Sequence, residues 1–344
     1  MKDYIIHLAP RSSYEIAMHS DTLFGAICWG IRMLFGEKRL VEILEEYKKS
    51  PPFLLSSAFP CKFDGKEYQY FLPKPVLKPL AINDLDIFTI EADVKKETYH
   101  SNKINTIWAA NEHKKFKKIK FVGIVNFKTC LKQPDEAVLF RDYLERHLSE
   151  PSRYCKTETT QKNSLDRLFH STTGAGNTFY VPEIAYREKY GLYFLLKTKN
   201  IDEYIKPVLL FLEDSGIGPN ARTGKNWFKA EISEKTLFDG KNSQAGDSFI
   251  TLSRYIKNEP INKEASFYQI ASVRSKVESR LEFAGEDVWK HRVSYFTAGS
   301  VINPENKADH YGSLVPVKSI GGKTIYQYGY AYPVWINHGG KNEL

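Results

Sequence analysis

The apolar positions of the chain fall into two regular stretches separated by a long segment in which the pattern weakens. Tyr4, Ile5, Ile6 and Leu8 form a short run that predicts a first strand over residues 4–8. Leu23, Ile27, Ile31 and Leu34 then recur at helical spacing, Phe24, Cys28 and Phe35 widen the stripe, and Gly36 stands where a glycine ends a helix. Met18-His19-Ser20-Asp21-Thr22 supplies cap-type residues just ahead of it. Residues 37–49 repeat the pattern through Leu40, Ile43, Leu44 and Tyr47 until Pro51-Pro52 ends the helix. Residues 53–59 predict a second strand.

Over residues 61–189 the composition shifts toward lysine, threonine, asparagine and proline, and the segment reads as an insertion. It is too long for a structureless loop within a compact domain. Residues 120–127 predict a strand inside it, and the run His113-Lys114-Lys115-Phe116-Lys117-Lys118-Ile119-Lys120 fits a strand or hairpin that tracks a nucleic-acid backbone, with a solvated charged face as the alternative. Residues 156–167, polar and basic without helical periodicity, predict an exposed arm.

Regularity returns at residues 191–198, where Leu192, Phe194 and Leu196 alternate with Tyr193, Leu195 and Lys197 as in a strand. A helix is expected over residues 201–214, capped by Asp202 and kinked at Pro207. A glycine-rich loop, residues 215–225, and a strand over residues 226–232 follow. The order β-α-β, insertion, β-α-loop-β is that of a ferredoxin-like (RRM-like) domain, one antiparallel sheet with two helices on one face. The expected fold class is therefore α+β, with residues 1–235 as the first domain. Residues 236–344 form a second, β-rich domain, expected to repeat the ferredoxin-like unit, with strands near 249–255, 268–277, 293–301 and 324–335. The aromatic segment from Tyr326 to Trp335 reads as core and sheet surface rather than a base-stacking platform.

With 344 residues, 42% hydrophobic and 26% charged, the chain has apolar material for one large or two ordinary domains and is no disordered tail. Lysine and arginine total 49 against 41 acidic residues, a formal charge of +8 that makes a polyanion a natural partner. Cys28, Cys61, Cys130 and Cys155 form no C-x-x-C pair, so neither a zinc knuckle nor a redox couple is indicated. Asp3 interrupts the apolar run a signal peptide would need. Residues 23–35 are too few to cross a bilayer. A cytoplasmic protein without a membrane partner, a metal or a cofactor is expected.

The glycine loop is the strongest local signal. Gly216, Gly218 and Gly224 let backbone pass close to an anion, Arg222 and Lys225 bring charge, and Thr223 offers a hydroxyl. It is not a phosphate-binding loop of the Walker type, because Gly224-Lys225 is followed by Asn226 and a strand. An ordinary helix-to-strand turn is the alternative. His19, Ser20 and Thr22 open the first helix, where exposed backbone N–H groups can hold a phosphate; simple capping is the alternative there. The nine histidines show no H-x-x-x-H pair, and there is no G-x-S-x-G elbow.

Ser20-Asp21-Thr22-Leu23-Phe24-Gly25-Ala26, Ser56-Ser57-Ala58-Phe59-Pro60, Phe71-Leu72-Pro73-Lys74-Pro75, Asn163-Ser164-Leu165-Asp166-Arg167, Gly216-Ile217-Gly218, Phe296-Thr297-Ala298-Gly299-Ser300 and Tyr328-Gly329-Tyr330-Ala331 follow one another along the chain. In this order and spacing they resemble the RAMP superfamily of CRISPR-associated RNA-binding proteins, specifically the subunit of type III-A (Csm) complexes that holds the crRNA 5′ handle. The resemblance implies two ferredoxin-like domains, a grip on the single-stranded handle without catalysis, and assembly with a large polymerase-palm signature subunit and a backbone RAMP subunit. RNA contacts are implied at His19, Ser20, Thr22, Lys162, Arg167, Gly216, Gly218, Arg222, Thr223 and Lys225. Pro219-Asn220 and Asn226 depart from the usual glycine-loop pattern. The alternatives are a metal-independent endoribonuclease of the same superfamily, for which His19 is the one histidine near a candidate groove, and an assembly factor that binds protein alone.

Overall fold

A computed structural model of the protein describes residues 1–81, 102–151, 153–164, 166, 171–172, 178–218, 221–238, 246–278, 282–283 and 285–336. Its central sheet has seven strands and is antiparallel. Lys2–Pro10 (β1) leads into the helix Ser20–Glu46 (α1), and Phe53–Leu55 (β2), Phe59–Phe63 (β3) and Tyr68–Pro73 (β4) follow. The helix Asn102–Lys117 (α2), Phe121–Gly123 (β5), Ile124–Lys132 (α3) and Glu136–Leu144 (α4) come next. Cys155–Asn163 (β6) and Thr178–Tyr186 (β7) pair as a two-stranded ribbon before Tyr190–Thr198 (β8), the helix Ile205–Ser215 (α5) and Phe228–Ser233 (β9). Six of its strands run in the order β5-β4-β3-β8-β1-β9, and β2 pairs with β8 off this path. Its inner portion, β3-β8-β1-β9, is the 2-3-1-4 order of a ferredoxin-like unit, and β4 and β5 extend it at one edge.

Both helices of that unit cover one sheet face. Leu23, Phe24, Ile27 and Ile31 of α1 are buried, as are Ile205, Val208, Leu209 and Leu212 of α5. The two approach so closely at Gly30 that a Cβ there would meet Val208 Cγ1 at 2.6 Å. The apolar stripe ends early, since Leu34 and Phe35 are exposed. Gly36 takes φ +84° and ψ 167°, a conformation essentially restricted to glycine, and breaks α1 where the sequence places a helix end.

Several expectations are corrected. The predicted strand over 53–59 is two strands, because the N–H groups of Ser57 and Ala58 leave the ladder for Leu252 O and Met18 O, both at 2.8 Å. The basic run at 113–120 is the end of α2 and the turn after it, not a strand or hairpin, and His113 and Phe116 are buried in it. The predicted strand over 120–127 is β5 followed at once by α3. Asp202 lies before α5, whose N-cap is Tyr204, and ion-pairs with Lys206. Pro207 occupies the first turn of α5, where an N–H has no helical partner in any case, so no interior hydrogen bond is lost.

The second half carries Phe249–Thr251 (β10), Ile270–Val273 (β11), Val293–Phe296 (β12), Val301–Ile302 (β13), Leu314–Ile320 (β14), Lys323–Tyr328 (β15) and Pro333–Trp335 (β16). These form a three-stranded sheet, β13-β10-β16, and the hairpins β11-β12 and β14-β15. Tyr328, Tyr330 and Tyr332 are buried, as a core reading of that segment requires, and share one hydrophobic core with Tyr4, Phe24 and Phe53. Among the described residues no helix is long and apolar enough to cross a membrane.

Candidate nucleic-acid interface

The loop between β1 and α1 is held between the glycine loop and the foot of the β6-β7 ribbon. Arg11 N–H donates to Trp227 O at 2.8 Å, Trp227 N–H to Ser12 Oγ at 2.9 Å and Asn226 N–H to Ser13 O at 3.0 Å. On the other side Tyr14 and Ile184 exchange backbone hydrogen bonds of 2.8 and 2.7 Å. Segments far apart in sequence therefore meet here, and two of the predicted lysines meet with them. Lys225 Nζ donates to Glu183 Oε2 at 2.6 Å and to Ser13 Oγ at 2.9 Å, while Lys162 Nζ ion-pairs with Glu15. The hydrogen bonds from Lys225 and Ser13 hold the Glu183 carboxyl below the usual carboxylate range.

The glycines shape this loop through backbone geometry. Gly216, Gly218 and Gly224 have φ of +71°, +77° and +81°. A Cβ on Gly216 would stand 2.8 Å from Ala221 Cβ and 2.9 Å from Trp227 Cδ1. Asn226, the departure from the expected small residue, also has positive φ, +59°, which asparagine tolerates. Its side-chain oxygen accepts from Glu15 N–H at 2.8 Å and locks the two loops together. Thr223 is exposed at the end of the short 3-10 turn Ala221–Thr223. Arg167, Pro219 and Asn220 lie outside the described residues, as does the side chain of Arg222.

The start of α1 is a second concentration of charge. His19 is the N-cap residue, in extended conformation, and no side chain caps the helix, so the capping alternative fails for Ser20, Asp21 and Thr22. Ser20 faces inward. Its N–H donates to Ser57 Oγ at 3.1 Å and its Oγ accepts from Arg254 N–H at 3.0 Å, which commits both groups inside the protein. Asp21 accepts from Arg254 Nη1 at 2.9 Å and from Gln327 Nε2 at 2.5 Å, and the Arg254 guanidinium sits 4.5 Å from the Tyr295 ring centroid. Burial, then the Arg254 charge, push His19 down to about 4 against the opposing pull of Asp21, so its imidazole is neutral at pH 7. Lys290 is half-buried near Asp21 and Cys28, and burial lowers its pKa. Among the described residues, Arg254 and Lys290 against the carboxylate of Asp21, together with the helix N-terminus, leave this corner electropositive.

Sequence reading missed Glu183, Arg254, Lys290, Tyr295 and Gln327. None stands in a spacing pattern with its partner; Arg254 reaches Asp21 across 233 residues and Gln327 does so across 306.

No family model matches the chain. The CRISPR system Cms protein Csm4 of Thermococcus onnurineus (strain NA1) is 27% identical to it over 234 residues, 67% of this chain and 68% of that protein. In sequence the chain is similar to Csm4. Solved structures share the fold of this Csm4-like chain across nearly its whole length. A chain of a Csm1-Csm4 cassette in complex with pppApA matches with a TM-score of 0.59 at 19% identity, covering 98% of this chain and 99% of that one. A chain of a Csm3-Csm4 subcomplex from a type III-A CRISPR-Cas interference complex gives 0.56 at 18% identity, covering 97% and 99%. The α+β fold with antiparallel sheets expected from sequence is thus that of the Csm4-like proteins.

Proposed function

We propose that this protein is a non-catalytic subunit of a type III-A CRISPR effector that binds the single-stranded 5′ handle of the crRNA in the cytoplasm. The observation that carries the reading is the meeting of the β1-α1 loop, the glycine loop and the ribbon foot in a chain similar to Csm4 over two thirds of its length. The proposed contacts are His19, Thr22, Lys162, Arg167, Gly216, Gly218, Arg222, Thr223 and Lys225. Close-packed backbone at the glycines admits a phosphate, the lysines and arginines neutralise it, and unpaired bases remain free to be read. The proposed protein partners are a palm-domain subunit of the Csm1 kind and a backbone subunit of the Csm3 kind, since Csm4 proteins occur with these in the solved assemblies. Residues 1–235 and 236–344 are proposed as the two ferredoxin-like domains.

The neutral His19 is unsuited to act as the general acid of an RNA-cleaving reaction. A general acid must carry a proton at the working pH, and an imidazole with a pKa of about 4 does not. The test is a gel shift of the purified protein with a labelled 5′-handle RNA and a shuffled control in EDTA, with a denaturing gel run beside it. Preference for the handle with intact RNA is expected. Shortened RNA would establish a nuclease instead, and equal binding of both RNAs would remove handle recognition.

A further inference from the structure

The β11-β12 hairpin continues past its ladder. Lys290 N–H donates to Ser275 O at 2.9 Å, Val277 N–H to Val288 O at 2.8 Å, and Lys276 bridges Trp289 across the two strands. Along a strand, neighbouring side chains point to opposite sides. Lys290 turns toward the start of α1 and Asp21, so Trp289 lies on the outer side of the ribbon. There its indole is 43% exposed, whereas Trp29, Trp108 and Trp227 are half-buried and Trp335 is buried. The Arg274 guanidinium is 5.3 Å and Lys276 Nζ 4.7 Å from the ring centroid. Among the described residues no carboxylate lies within ion-pair distance of either cation, and the nearby Asp287 is taken by Lys318 at 2.8 Å. Arg292, also exposed, adds a further positive charge to the same ribbon.

An exposed indole between two cations that have no carboxylate at ion-pair distance among the described residues suits single-stranded nucleic acid: a flat ring for a base and charges for the phosphates beside it. We propose that the outer side of this ribbon is a second contact for single-stranded RNA, in which Trp289 stacks on a base and Arg274 and Lys276 take the flanking phosphates. This rests on the RNA-binding reading above and extends it in space. Trp289 and Lys290 are neighbours on opposite sides of the ribbon, so a base stacked on Trp289 meets the side turned away from the α1 start and is a different one from any held at His19.

The test compares the full-length protein with Trp289→Ala and with Arg274→Ala/Lys276→Ala, using handle RNA extended by part of the guide. Intrinsic fluorescence and affinity are both read, and far-UV circular dichroism checks that each variant is folded. Quenching of the wild-type signal on RNA addition, its loss in Trp289→Ala and an affinity drop of about tenfold are expected. Unchanged affinity in folded Trp289→Ala overturns the proposal; if Lys225→Gln weakens binding in the same assay, the handle site stands without it. Loss of a protein partner from the purified complex with RNA affinity intact overturns it in favour of a protein interface. Failure of the wild type to bind any RNA overturns both readings.

Discussion

In the free protein Lys225 donates to Glu183 and to Ser13, so its ammonium reaches a phosphate by sharing that carboxylate or leaving it. The structural role of this side chain and its proposed role in recognition can be separated. Lys225→Gln leaves the buried Glu183 carboxylate without its cation, so both the urea midpoint and the affinity for handle RNA should fall, the latter about tenfold. Adding Glu183→Gln should restore the midpoint and not the affinity; recovery of both would mean that Lys225 serves the fold alone. His19 carries a pH signature. Its pKa in the folded protein, about 4, lies below the ordinary 6.5, so the unfolded chain binds more protons between those values. Stability from this group is complete above 6.5 and is lost as the pH falls toward 4, with a slope of up to about 1.4 kcal/mol per pH unit. Urea midpoints of the wild type and His19→Gln should converge as the pH drops through that window, and parallel curves would contradict the assignment.

At the scale of elements the glycine loop is the part whose geometry matters most. Gly216→Ala must place a Cβ against Ala221 and the Trp227 ring while holding φ +71°. A cost on the order of 1–3 kcal/mol by urea denaturation is expected, with weakened handle binding because the loop shifts. An unchanged midpoint would show that the loop tolerates another path. This loop was legible in the sequence because glycine spacing reports backbone freedom directly, and β1, β8 and the break of α1 at Gly36 were legible because their apolar periods are clean. The inserted segment was not. In α2 the buried positions Ala109, His113 and Phe116 do follow helical spacing, but His113 is polar and the lysines around it mask the period. The switch from β5 to α3 occurs within one apolar run, where strand and helix cannot be told apart by hydrophobicity. The α1 corner was half legible: His19 stood out as a helix start, whereas Arg254, Lys290 and Tyr295 belong to it only through tertiary packing.

Across the whole molecule the two halves share buried surface and charge. The core that holds Tyr4 and Phe24 also holds Ile250, Leu252, Val301, Tyr330 and Val334. On the surface Arg32 and Glu37 of α1 join Glu282 and Lys323 of the second half in a four-membered network with contacts of 2.8 Å across it. Unfolding should therefore be a single cooperative transition with coincident near- and far-UV circular dichroism curves, and two separated transitions would contradict the shared core. Such a shared core suits the proposed holding of RNA between loops contributed by distant parts of one chain. The most direct test of that arrangement is photo-crosslinking of 4-thiouridine-substituted handle RNA to the purified protein, with the attached peptides identified by mass spectrometry. Crosslinks to residues 11–22, 156–167 and 215–227 are predicted, and crosslinks confined to other surfaces would contradict the account.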